Sequence, residues 1–478
     1  MNNKTLEVDY LIVGAGALGL AFADVILTET EFTVAIVDRR AKPGGHWNDA
    51  YSFVRLHQPS ANYGVTSKTL GSRGIDRSGF NKGLYELATA PEICTYFDDL
   101  MRQDFLPSGR VQYFPLSDYT GDGQFSTESG EQYTVTVKRK IVDATYSDTA
   151  IPATHPPKYD IEEGMTCVPV NELPTVAGDF DHYVVVGSGK TGIDACQWLL
   201  ENNIAPEKIR WIMPRDCWFL NRRNFQPGDD FFNDRVGGAA TQMDIIQQAE
   251  SIEHLYLLLE EQKMLMRIDS SVMPAAYRCA TITELELEAL RSIKDVVRLG
   301  RIKRITHNAI ELEQGQIESK ENTLYIDCSA TGIAEHPSLP VFKDNLITIQ
   351  GVRTCQPCLS AALIAFIDTL YDNNEEKNAL CQVVPYPRLP TDWITMLLKN
   401  VQNHQRCSQD KHIRDWLSHC RLDPSAKNTQ HNLSKHLSAE SLSTEIIEHQ
   451  KAISQRLKEN FVPAMQKLHA LAVSGRII

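Results

Sequence analysis

Residues 8–38 read VDYLIVGAGALGLAFADVILTETEFTVAIVD, and this stretch decides the fold. The apolar run at its start predicts a short buried strand, and LAFADVIL, after the glycines, predicts a helix. A second apolar run, FTVAIV, predicts another strand that ends at Asp38, 19 residues after Gly19. A strand, a glycine turn, a helix, a strand and an acid in this order are typical of a dinucleotide-binding βαβ unit.

The glycine turn explains how such a unit would hold a dinucleotide. Gly14 makes the tight turn, Gly16 lets a pyrophosphate approach the backbone, and Gly19 lets the helix pack closely on the strand. The helix N-terminus supplies amide donors for the phosphates, and the Asp38 carboxylate accepts hydrogen bonds from ribose hydroxyls. We therefore predict cofactor contacts from Asp38 and from the whole turn, which consists of Gly14, Ala15, Gly16, Ala17, Leu18 and Gly19.

The segment after Asp38 reads RRAKPGGHW, residues 39–47. Paired glycines followed by aromatic residues suit a loop that lies against a flavin or its phosphates, so Gly45, His46 and Trp47 are predicted to contact the cofactor. Arg39 and Arg40 could balance phosphate charge, and the alternative is that they are solvated surface arginines. The cofactor predicted for this first site is FAD.

A second glycine turn occurs near the middle of the chain. Residues 183–187, YVVVG, predict a strand, GSGKTG follows at residues 187–192, and IDACQWLLEN predicts a helix. The next strand, IRWIMP, is followed by Arg215 where NADH-binding units carry an acid, and an arginine can pair with the 2′-phosphate of NADPH. We predict that NADPH binds here, with Lys190 adding positive charge. The predicted contacts are Gly187, Ser188, Gly189, Lys190, Thr191, Gly192 and Arg215.

The two turns predict an α/β fold made of two nested Rossmann-like dinucleotide-binding domains, one for FAD and one for NADPH. Stretches rich in short strands, at residues 110–143 and 296–327, predict β-meanders that return the chain to each sheet. The predicted parts are, in chain order, the first part of the FAD domain (1–150), a linker (151–181), the NADPH domain (182–330), the second part of the FAD domain (331–385) and a helical C-terminal region (386–478).

Two helical stretches are predicted outside the βαβ units. Residues 241–292 carry apolar stripes at helical spacing, which indicate core contacts or the contacts of a homodimer. The apolar run LSAALIAFIDTL, residues 359–370, predicts a helix whose N-terminus could face the flavin pyrimidine ring, where negative charge collects on reduction.

The composition argues against several functional classes. A chain of 478 residues with 42% hydrophobic and 23% charged residues is long enough for two or three ordinary domains. A formal net charge of -13 argues against a general affinity for nucleic acid or anionic membranes. No apolar run reaches the ~18 residues of a membrane span, and the first residues do not resemble a signal peptide, which predicts a cytoplasmic protein. Eleven cysteines spread over the chain predict reduced thiols.

Taken together, these motifs resemble those of the flavin-containing monooxygenases, including the Baeyer–Villiger and N-hydroxylating branches. The matching pieces are residues 14–19, 44–47 and 187–192, and the motif Ala330, Thr331, Gly332, which joins the predicted cofactor contacts. The resemblance implies a single-component enzyme that uses FAD and NADPH to activate O2 as a flavin C4a-peroxide and oxidises a small organic substrate. One departure is Val168, which stands where the family carries a histidine before its second glycine turn.

The resemblance also implies an amide side chain near the reactive edge of the flavin. Gln58 is the nearest counterpart, with His57 beside it, and both are predicted as catalytic residues. An amide there could donate to the flavin or to bound oxygen, and a histidine could hold a proton near neutral pH. The alternative is that both are polar loop residues satisfied by backbone contacts.

Two other functions stay open. A reductase that passes electrons to a disulfide, a quinone or another acceptor is supported by Cys355 and Cys358, a CxxC at a predicted helix start, where the pKa of a thiol falls. The alternative for this pair is two ordinary buried cysteines. The third class is a flavin-binding structural or regulatory protein without turnover, which two intact nucleotide sites disfavour.

Overall fold

The computed structural model describes residues 3–424, 426 and 444–474, apart from the side chains of residues 179, 444 and 445. The strands of the first half are β1 (Asn3–Val13), β2 (Val34–Val37), β3 (Val111–Phe114), β4 (Ser117–Gly121), β5 (Gln124–Thr127), β6 (Gln132–Asp143), β7 (Thr149–Ala150), β8 (Asp160–Ile161), β9 (Thr166–Pro169), β10 (His182–Val186), β11 (Ile209–Ile212) and β12 (Cys217–Asn221). Those of the second half are β13 (Leu265–Met266), β14 (Ala276–Ile282), β15 (Asp295–Val297), β16 (Ile302–Ile305), β17 (Ala309–Leu312), β18 (Gly315–Glu318), β19 (Thr323–Asp327), β20 (Gly332–Ile333), β21 (Phe342–Lys343) and β22 (Leu346–Thr348).

The α-helices are distributed through all parts of the chain. They are α1 (Ala17–Glu29), α2 (Ala90–Asp99), α3 (Leu173–Val176), α4 (Lys190–Glu201), α5 (Gly238–Gln248), α6 (Ile252–Glu261), α7 (Glu284–Ser292), α8 (Pro357–Leu370), α9 (Asn374–Leu380), α10 (Pro390–Gln409), α11 (Lys411–His419) and α12 (Thr444–Ser474).

The first sheet has the strand order β21, β22, β6, β1, β2, β3. β1 pairs in parallel with β2 and β6, β2 pairs with β3, and β22 pairs with β6. β1 and β2 are the strands predicted around the first glycine turn, and α1 between them packs on α8. The first module is the part of the chain built on this sheet, and the second module is the part built on the second sheet, which contains β10, β11 and β19. Because β22 rejoins the first sheet only after the second sheet is complete, the second module is inserted in the first, as the fold prediction required.

The second sheet has the order β15, β11, β10, β19, β9, and all of its neighbouring strands are parallel. β10, α4 and β11 are the βαβ unit predicted around the second glycine turn. The antiparallel strands β16, β17 and β18 form the predicted meander, and β19 carries the chain back into the sheet. Each module therefore places the carboxyl ends of parallel strands, where dinucleotides bind, beside its glycine turn.

A small third sheet, with the order β13, β12, β14, interrupts the stretch that was predicted to be helical. Helices α5, α6 and α7 occur there, but β13 and β14 lie between them, so the prediction is wrong for these strands. β14 pairs in parallel with β12, and two helices separate these strands in the sequence. Because the partner strand is so distant, no local pattern of apolar residues indicates the pairing. Leu255 and Leu259 are buried against Trp218, which makes them core contacts rather than contacts of a homodimer.

The segment that follows the first glycine turn connects the two modules. Tyr51 and Val54 are buried in the apolar core of the second module, together with Trp211. The Tyr51 hydroxyl donates to the Asp194 carboxylate on α4 at 2.6 Å. The loop that was predicted to lie on the flavin thus continues directly into the core of the second module.

Beyond β22 the described chain is largely helical, as predicted. α10 and α12 pack on each other, and α12 packs along α5 of the second module. Residues 425, 427–443 and 475–478 of the predicted C-terminal region lie outside the described residues. Within the described ranges, none of the helices has both the length and the apolar character that crossing a membrane requires.

Candidate cofactor sites

The first glycine turn is closed so tightly that it excludes side chains. Gly14 has a φ of 104°, a backbone conformation that glycine adopts without strain. A Cβ on Gly19 would lie 2.0 Å from the Gly14 carbonyl oxygen, so α1 packs against the turn only because residue 19 has no side chain. α1 begins at Ala17, and its first amides, including that of Leu18, therefore lie at the turn.

The paired glycines of the next loop lie directly on this turn. The Gly44 amide donates to the Ala15 carbonyl at 2.8 Å. A Cβ on Gly45 would lie 3.0 Å from the Cα of Gly16, which is closer than side chains normally approach. Two stretches that are separate in the sequence thus form one backbone cradle at the carboxyl end of β1, and a pyrophosphate can reach its amides without meeting a side chain.

Asp38 fixes the far side of this cradle. Its carboxylate is 6% exposed and accepts from the Ala15 amide at 2.6 Å and from the Arg40 amide at 2.7 Å. The Arg40 guanidinium is bound to the Asp49 carboxylate at 2.6 Å, so its charge is compensated within the loop. Arg39 is exposed at the end of β2. Of the two arginines proposed to balance phosphate charge, only Arg39 has its side chain in the solvent.

His46 and Trp47 form a stacked pair beside the cradle. Their ring centroids are 5.2 Å apart, and the Trp47 indole nitrogen donates to the Tyr63 hydroxyl at 2.7 Å. Burial, reinforced by the nearby Arg40 charge, lowers the pKa of His46 to about 4. His46 is therefore neutral at physiological pH and presents an uncharged ring to the predicted flavin site.

The depressed pKa of His46 makes stability depend on pH. In the unfolded chain this histidine titrates near pH 6.5, so protonation favours unfolding as the pH falls from about 6.5 to about 4. His46→Phe keeps a ring against Trp47 but does not titrate. Between about pH 7 and about pH 5 we expect the variant to lose about 1–2 kcal/mol less stability than the parent, measured by thermal unfolding. Parallel pH profiles for the two proteins would contradict this assignment.

The second glycine turn repeats the geometry of the first. Gly187 has a φ of 124°, and a Cβ on Gly192 would lie 2.1 Å from the Gly187 carbonyl oxygen. The Trp211 indole donates to that carbonyl at 2.8 Å and fixes the turn from β11. A Cβ on Gly189, by contrast, would meet nothing within 4 Å, so the chain is open to solvent where α4 begins. A phosphate can approach the α4 amides at this opening.

Lys190 does not supply the free positive charge that was predicted for this turn. Its ammonium is bound by both oxygens of the Asp194 carboxylate, one turn along α4. The same carboxylate accepts from the Tyr51 hydroxyl, and the Tyr51 hydroxyl also bonds to Thr191. The sequence-based expectation is corrected because Asp194 lies on the same face of the helix and is buried with the lysine.

Arg215 lies where the sequence placed it, just beyond β11, and its side chain is exposed. The Ser188 hydroxyl donates to the Arg215 carbonyl at 2.6 Å, which ties this position to the glycine turn. The adjacent acid, Asp216, is bound by Arg298 through two contacts of 2.8 and 3.0 Å. The carboxylate of the next residue in the sequence, Asp216, is thus paired with Arg298. Arg215 forms no ion pair with any residue in the described ranges.

The motif at residues 330–332 lies in the return crossing, the connection that takes the chain from the second module back to the first. β20, which contains Gly332, pairs with β7, which lies in the outward crossing, the connection from the first module to the second. Both connections therefore run side by side between the two sheets. The Thr331 carbonyl accepts from the Arg278 guanidinium at 3.3 Å.

His57 and Gln58 lie on the loop that enters the second module. The His57 carbonyl accepts from the Thr281 hydroxyl at 2.6 Å and from the Arg222 guanidinium at 3.2 Å. Burial, with the charges of Lys190 and Arg222, holds the pKa of His57 well below its usual value. A histidine that remains neutral does not exchange protons near neutral pH, so its environment does not support the predicted proton-holding role.

Gln58 is half-buried, and its amide nitrogen donates to the Asn62 carbonyl at 3.2 Å. Asn62 is 6% exposed, and its own amide oxygen has no hydrogen-bond partner in the described part of the chain. The sequence did not single out Asn62, and the only available signal was its place in the same short segment. Both amides stay candidates for contacts near the flavin.

The cysteine pairing differs from the CxxC pair that was considered as support for a reductase. Cys355 forms a disulfide with Cys279 on β14, and the other nine cysteines are free. Cys358 is buried on α8, and burial raises the pKa of its thiol to about 11. The CxxC is therefore not a redox pair with a lowered thiol pKa, and the expectation that all thiols are reduced is wrong for Cys279 and Cys355.

A cavity of about 610 Å³ lies between the two modules and the C-terminal helices. Its walls come from both crossings, from the loop after β22, and from α10 and the segment before it. They present apolar and polar surface in similar amounts. Its lining includes Tyr146, Ile333, His336, Gly351, Val384, Tyr386, Arg388 and Ile394.

Comparison with known sequences supports this organisation. Residues 12–68, which contain the first glycine turn and the loop after it, match the family model of the NAD(P)-binding Rossmann-like domain. Uncharacterised proteins of Mycobacterium tuberculosis and Mycobacterium bovis are each 48% identical to this chain over 420 residues. Those alignments cover 88% of this chain and 78% of each relative.

Comparison with solved structures agrees with the fold. A caprolactone-bound structure of cyclohexanone monooxygenase is 15% identical, and the match covers 77% of this chain and 88% of that one with a TM-score of 0.50. The NADP+-bound cyclohexanone monooxygenase of Rhodococcus sp. Phi1 is also 15% identical, with coverages of 77% and 84% and a TM-score of 0.48. The first of these likenesses confirms the predicted fold class.

Proposed function

This chain belongs to the family of the two mycobacterial proteins and has the fold of cyclohexanone monooxygenase, and on that premise we propose that it is an FAD-dependent monooxygenase. It consumes NADPH and oxidises a small organic substrate. The observation that carries the proposal is the pair of glycine turns at the carboxyl ends of parallel strands, each closed by a glycine, Gly19 or Gly192, that leaves no room for a Cβ. Two nucleotide sites in one chain suit an enzyme that moves hydride from one cofactor to another.

The first site fits FAD. The backbone of Gly14, Gly16 and Gly45 forms the cradle proposed for the pyrophosphate, a side chain at Gly14 or Gly45 would be crowded there, and Asp38 stands beside it as the proposed ribose acceptor. His46 and Trp47 present an apolar, uncharged edge for the isoalloxazine. FAD bound here would accept hydride and supply the reactivity toward oxygen that amino-acid side chains lack.

The second site fits NADPH. The open backbone at Gly189 leaves the α4 amides accessible to a pyrophosphate. Arg215 stands free at the end of β11, while the one acid that could prefer an unphosphorylated ribose, Asp216, is held by Arg298. Tyr51 joins the first loop to α4, so the two sites sit on one continuous framework.

The cavity between the modules suits the substrate. Its volume of about 610 Å³ lies in the usual range for pockets that bind small organic molecules, and its walls offer both apolar surface and polar groups that could orient a substrate. Substrate class is tested by an aerobic NADPH assay against amines, sulfides, ketones and phenols, with product identified by mass spectrometry. Peroxide as the only product with every substrate would contradict oxygenation.

Arg215 is expected to set the preference for NADPH. A charge-assisted contact to a 2′-phosphate contributes roughly 1.5–3 kcal/mol, so Arg215→Ala should reduce the selectivity for NADPH over NADH about ten- to a hundredfold. The measurement is the rate of flavin reduction at subsaturating concentrations of each nucleotide. Lys208→Ala, at an exposed lysine just before β11, is the matched control and should leave the ratio unchanged. Unchanged selectivity in Arg215→Ala would refute the role of this residue.

Gln58 is expected to couple NADPH consumption to product. An amide near the flavin edge can donate to bound oxygen. In Gln58→Leu the flavin should therefore be reduced by NADPH at the parental rate, but the variant should release more hydrogen peroxide and less product. Ser52→Ala, at an exposed position of the same loop, should couple like the parent. If Gln58→Leu remains fully coupled, the Asn62 contact is the whole role of this side chain.

A reductase remains the second candidate. Its support is now the disulfide between Cys279 and Cys355, which could accept an electron pair and two protons to give two thiols. Anaerobic NADPH addition followed by thiol titration separates the two functions. A reductase of this kind gains two titratable thiols per chain, whereas the proposed monooxygenase keeps its thiol count.

A further inference from the structure

Two arginines outside both glycine motifs converge on the second site. Arg278 lies on β14, and its guanidinium donates to the Thr331 carbonyl at 3.3 Å. Arg388 lies just before α10, and its guanidinium donates to the Ile333 carbonyl at 3.2 Å. Both side chains therefore reach the same stretch of backbone, immediately after β19 ends at the carboxyl edge of the sheet.

The backbones that carry these arginines are held against each other. The Tyr277 amide donates to the Arg388 carbonyl at 3.0 Å, and the Tyr386 hydroxyl donates to the Arg278 carbonyl at 2.7 Å. The Arg278 amide also bonds to the Cys217 sulfur, two residues beyond Arg215. Arg278 thus links the start of β12, two residues beyond Arg215, to the segment that follows β19, across the edge where a dinucleotide lies in this fold.

The positive charge in this arginine cluster, Arg215, Arg278 and Arg388, is poorly compensated. Among residues 3–424, 426 and 444–474, neither Arg215 nor Arg278 has an ion pair with a carboxylate. The Arg388 guanidinium lies 3.6 Å from the carboxylate of Glu335, whose side chain is 79% exposed, and the Asp392 carboxylate accepts from the Arg388 backbone amide at 3.0 Å. Burial, and then the charges of Arg215 and Arg388, lower the pKa of Arg278, as expected for a guanidinium with two other cations nearby.

We propose that Arg278 and Arg388 act with Arg215 to bind the phosphate groups of NADPH. The inference rests on the proposed function, and it adds two specificity-determining residues that no glycine motif contains. The 2′-phosphate and the pyrophosphate together bring about four negative charges, and the forked guanidinium group suits phosphate oxygens. Binding replaces the mutual repulsion of three cations with ion pairs. Arg388 also lines the cavity, so it connects the phosphate site to the chamber proposed for substrate.

The test uses the FAD-loaded protein and measures binding by calorimetry, with no turnover. The probes are NADP+, NAD+ and adenosine 2′,5′-bisphosphate. Arg278→Met and Arg388→Met should each weaken binding of NADP+ and of the bisphosphate about tenfold or more, as expected when a charged phosphate contact is lost. Arg304→Met is the matched control, because Arg304 is an exposed arginine of the same module on β16, and it should bind within about twofold of the parent.

A conservative variant keeps the test independent of folding. Arg278→Lys retains the positive charge but loses the forked guanidinium group. Its affinity for NADP+ should therefore lie between that of the parent and that of Arg278→Met. Parental affinity in Arg278→Met and Arg388→Met, with NADP+ still bound by the parent, would overturn this inference alone. If the parent itself binds neither NADP+ nor the bisphosphate, the NADPH assignment of the second site fails instead.

Discussion

Gly19→Ala is expected to yield protein without flavin. The new Cβ would lie 2.0 Å from the Gly14 carbonyl oxygen, far inside van der Waals contact, so α1 would be driven off the turn that cradles the pyrophosphate. We expect the FAD content of the purified variant to fall at least about tenfold, corresponding to more than about 1.4 kcal/mol of lost binding free energy. The measurement is the visible flavin absorbance per chain.

Two further glycine variants make this result specific. Gly178→Ala is the control, because a Cβ there meets nothing within 4 Å and the backbone is not left-handed. Gly192→Ala places a Cβ 2.1 Å from the Gly187 carbonyl, and we expect it to retain FAD while losing reduction by NADPH. Parental flavin content in Gly19→Ala would mean that FAD does not bind on this turn.

Glu286→Gln is expected to destabilise the second module strongly. Arg222, 1% exposed, contacts the Glu286 carboxylate at 3.0 Å and donates to the carbonyls of His57 and Thr281. Removing the carboxylate charge leaves a buried guanidinium without a counter-ion, which costs about 3–5 kcal/mol. Glutamine still suits the capping box that Glu286 forms with Thr283, so the α7 cap is retained.

The control for this variant lies two residues away on the same helix. Glu284 pairs with Lys263 at 2.6 Å, but both side chains are about half exposed or more. Glu284→Gln should therefore change stability by less than about 1 kcal/mol. Unfolding by urea, followed by circular dichroism, compares the two variants. Equal stability of Glu286→Gln and Glu284→Gln would show that the buried pair does not stabilise the fold.

The glycine turns and their strands could be predicted because their signals are local. Gly14, Gly19, Gly187 and Gly192 each occupy positions where a left-handed backbone or a helix contact admits no side chain. Apolar strands on either side are fully buried in parallel sheets, so they read as continuous apolar runs. The order of the motifs then determined the nesting of the two modules.

The parts that were missed have two causes, one local in the sequence and one that depends on distant residues. Lys190 was interpreted as a free cation, although Asp194 follows it by one helical turn in the sequence and its carboxylate binds the ammonium group in the fold. Cys355 lies three residues before Cys358, yet the backbone brings Cys279 to it from β14. No period in the sequence indicates the disulfide partner, because Cys279 lies on β14, whose position is set by its pairing in the third sheet.

The arginine cluster shows the same limit at the candidate site. Arg215 could be predicted from its place after β11, whereas Arg278 and Arg388 come from a strand and a loop with no nucleotide motif. Only the folded chain brings their guanidinium groups to the carbonyls of Thr331 and Ile333. Electrostatic sites assembled from several elements are therefore found from structure, while backbone cradles are found from sequence.

The most direct test of the account is anaerobic mixing of the purified protein with one equivalent of NADPH while the visible absorbance is followed. We expect the protein to be isolated with FAD, and the flavin band to bleach as NADPH is oxidised. Gly192→Ala should keep the band and fail to bleach at the same NADPH concentration. A protein without FAD, or one whose FAD stays oxidised in the presence of saturating NADPH, would contradict the central claim that the two glycine turns hold a communicating pair of cofactors.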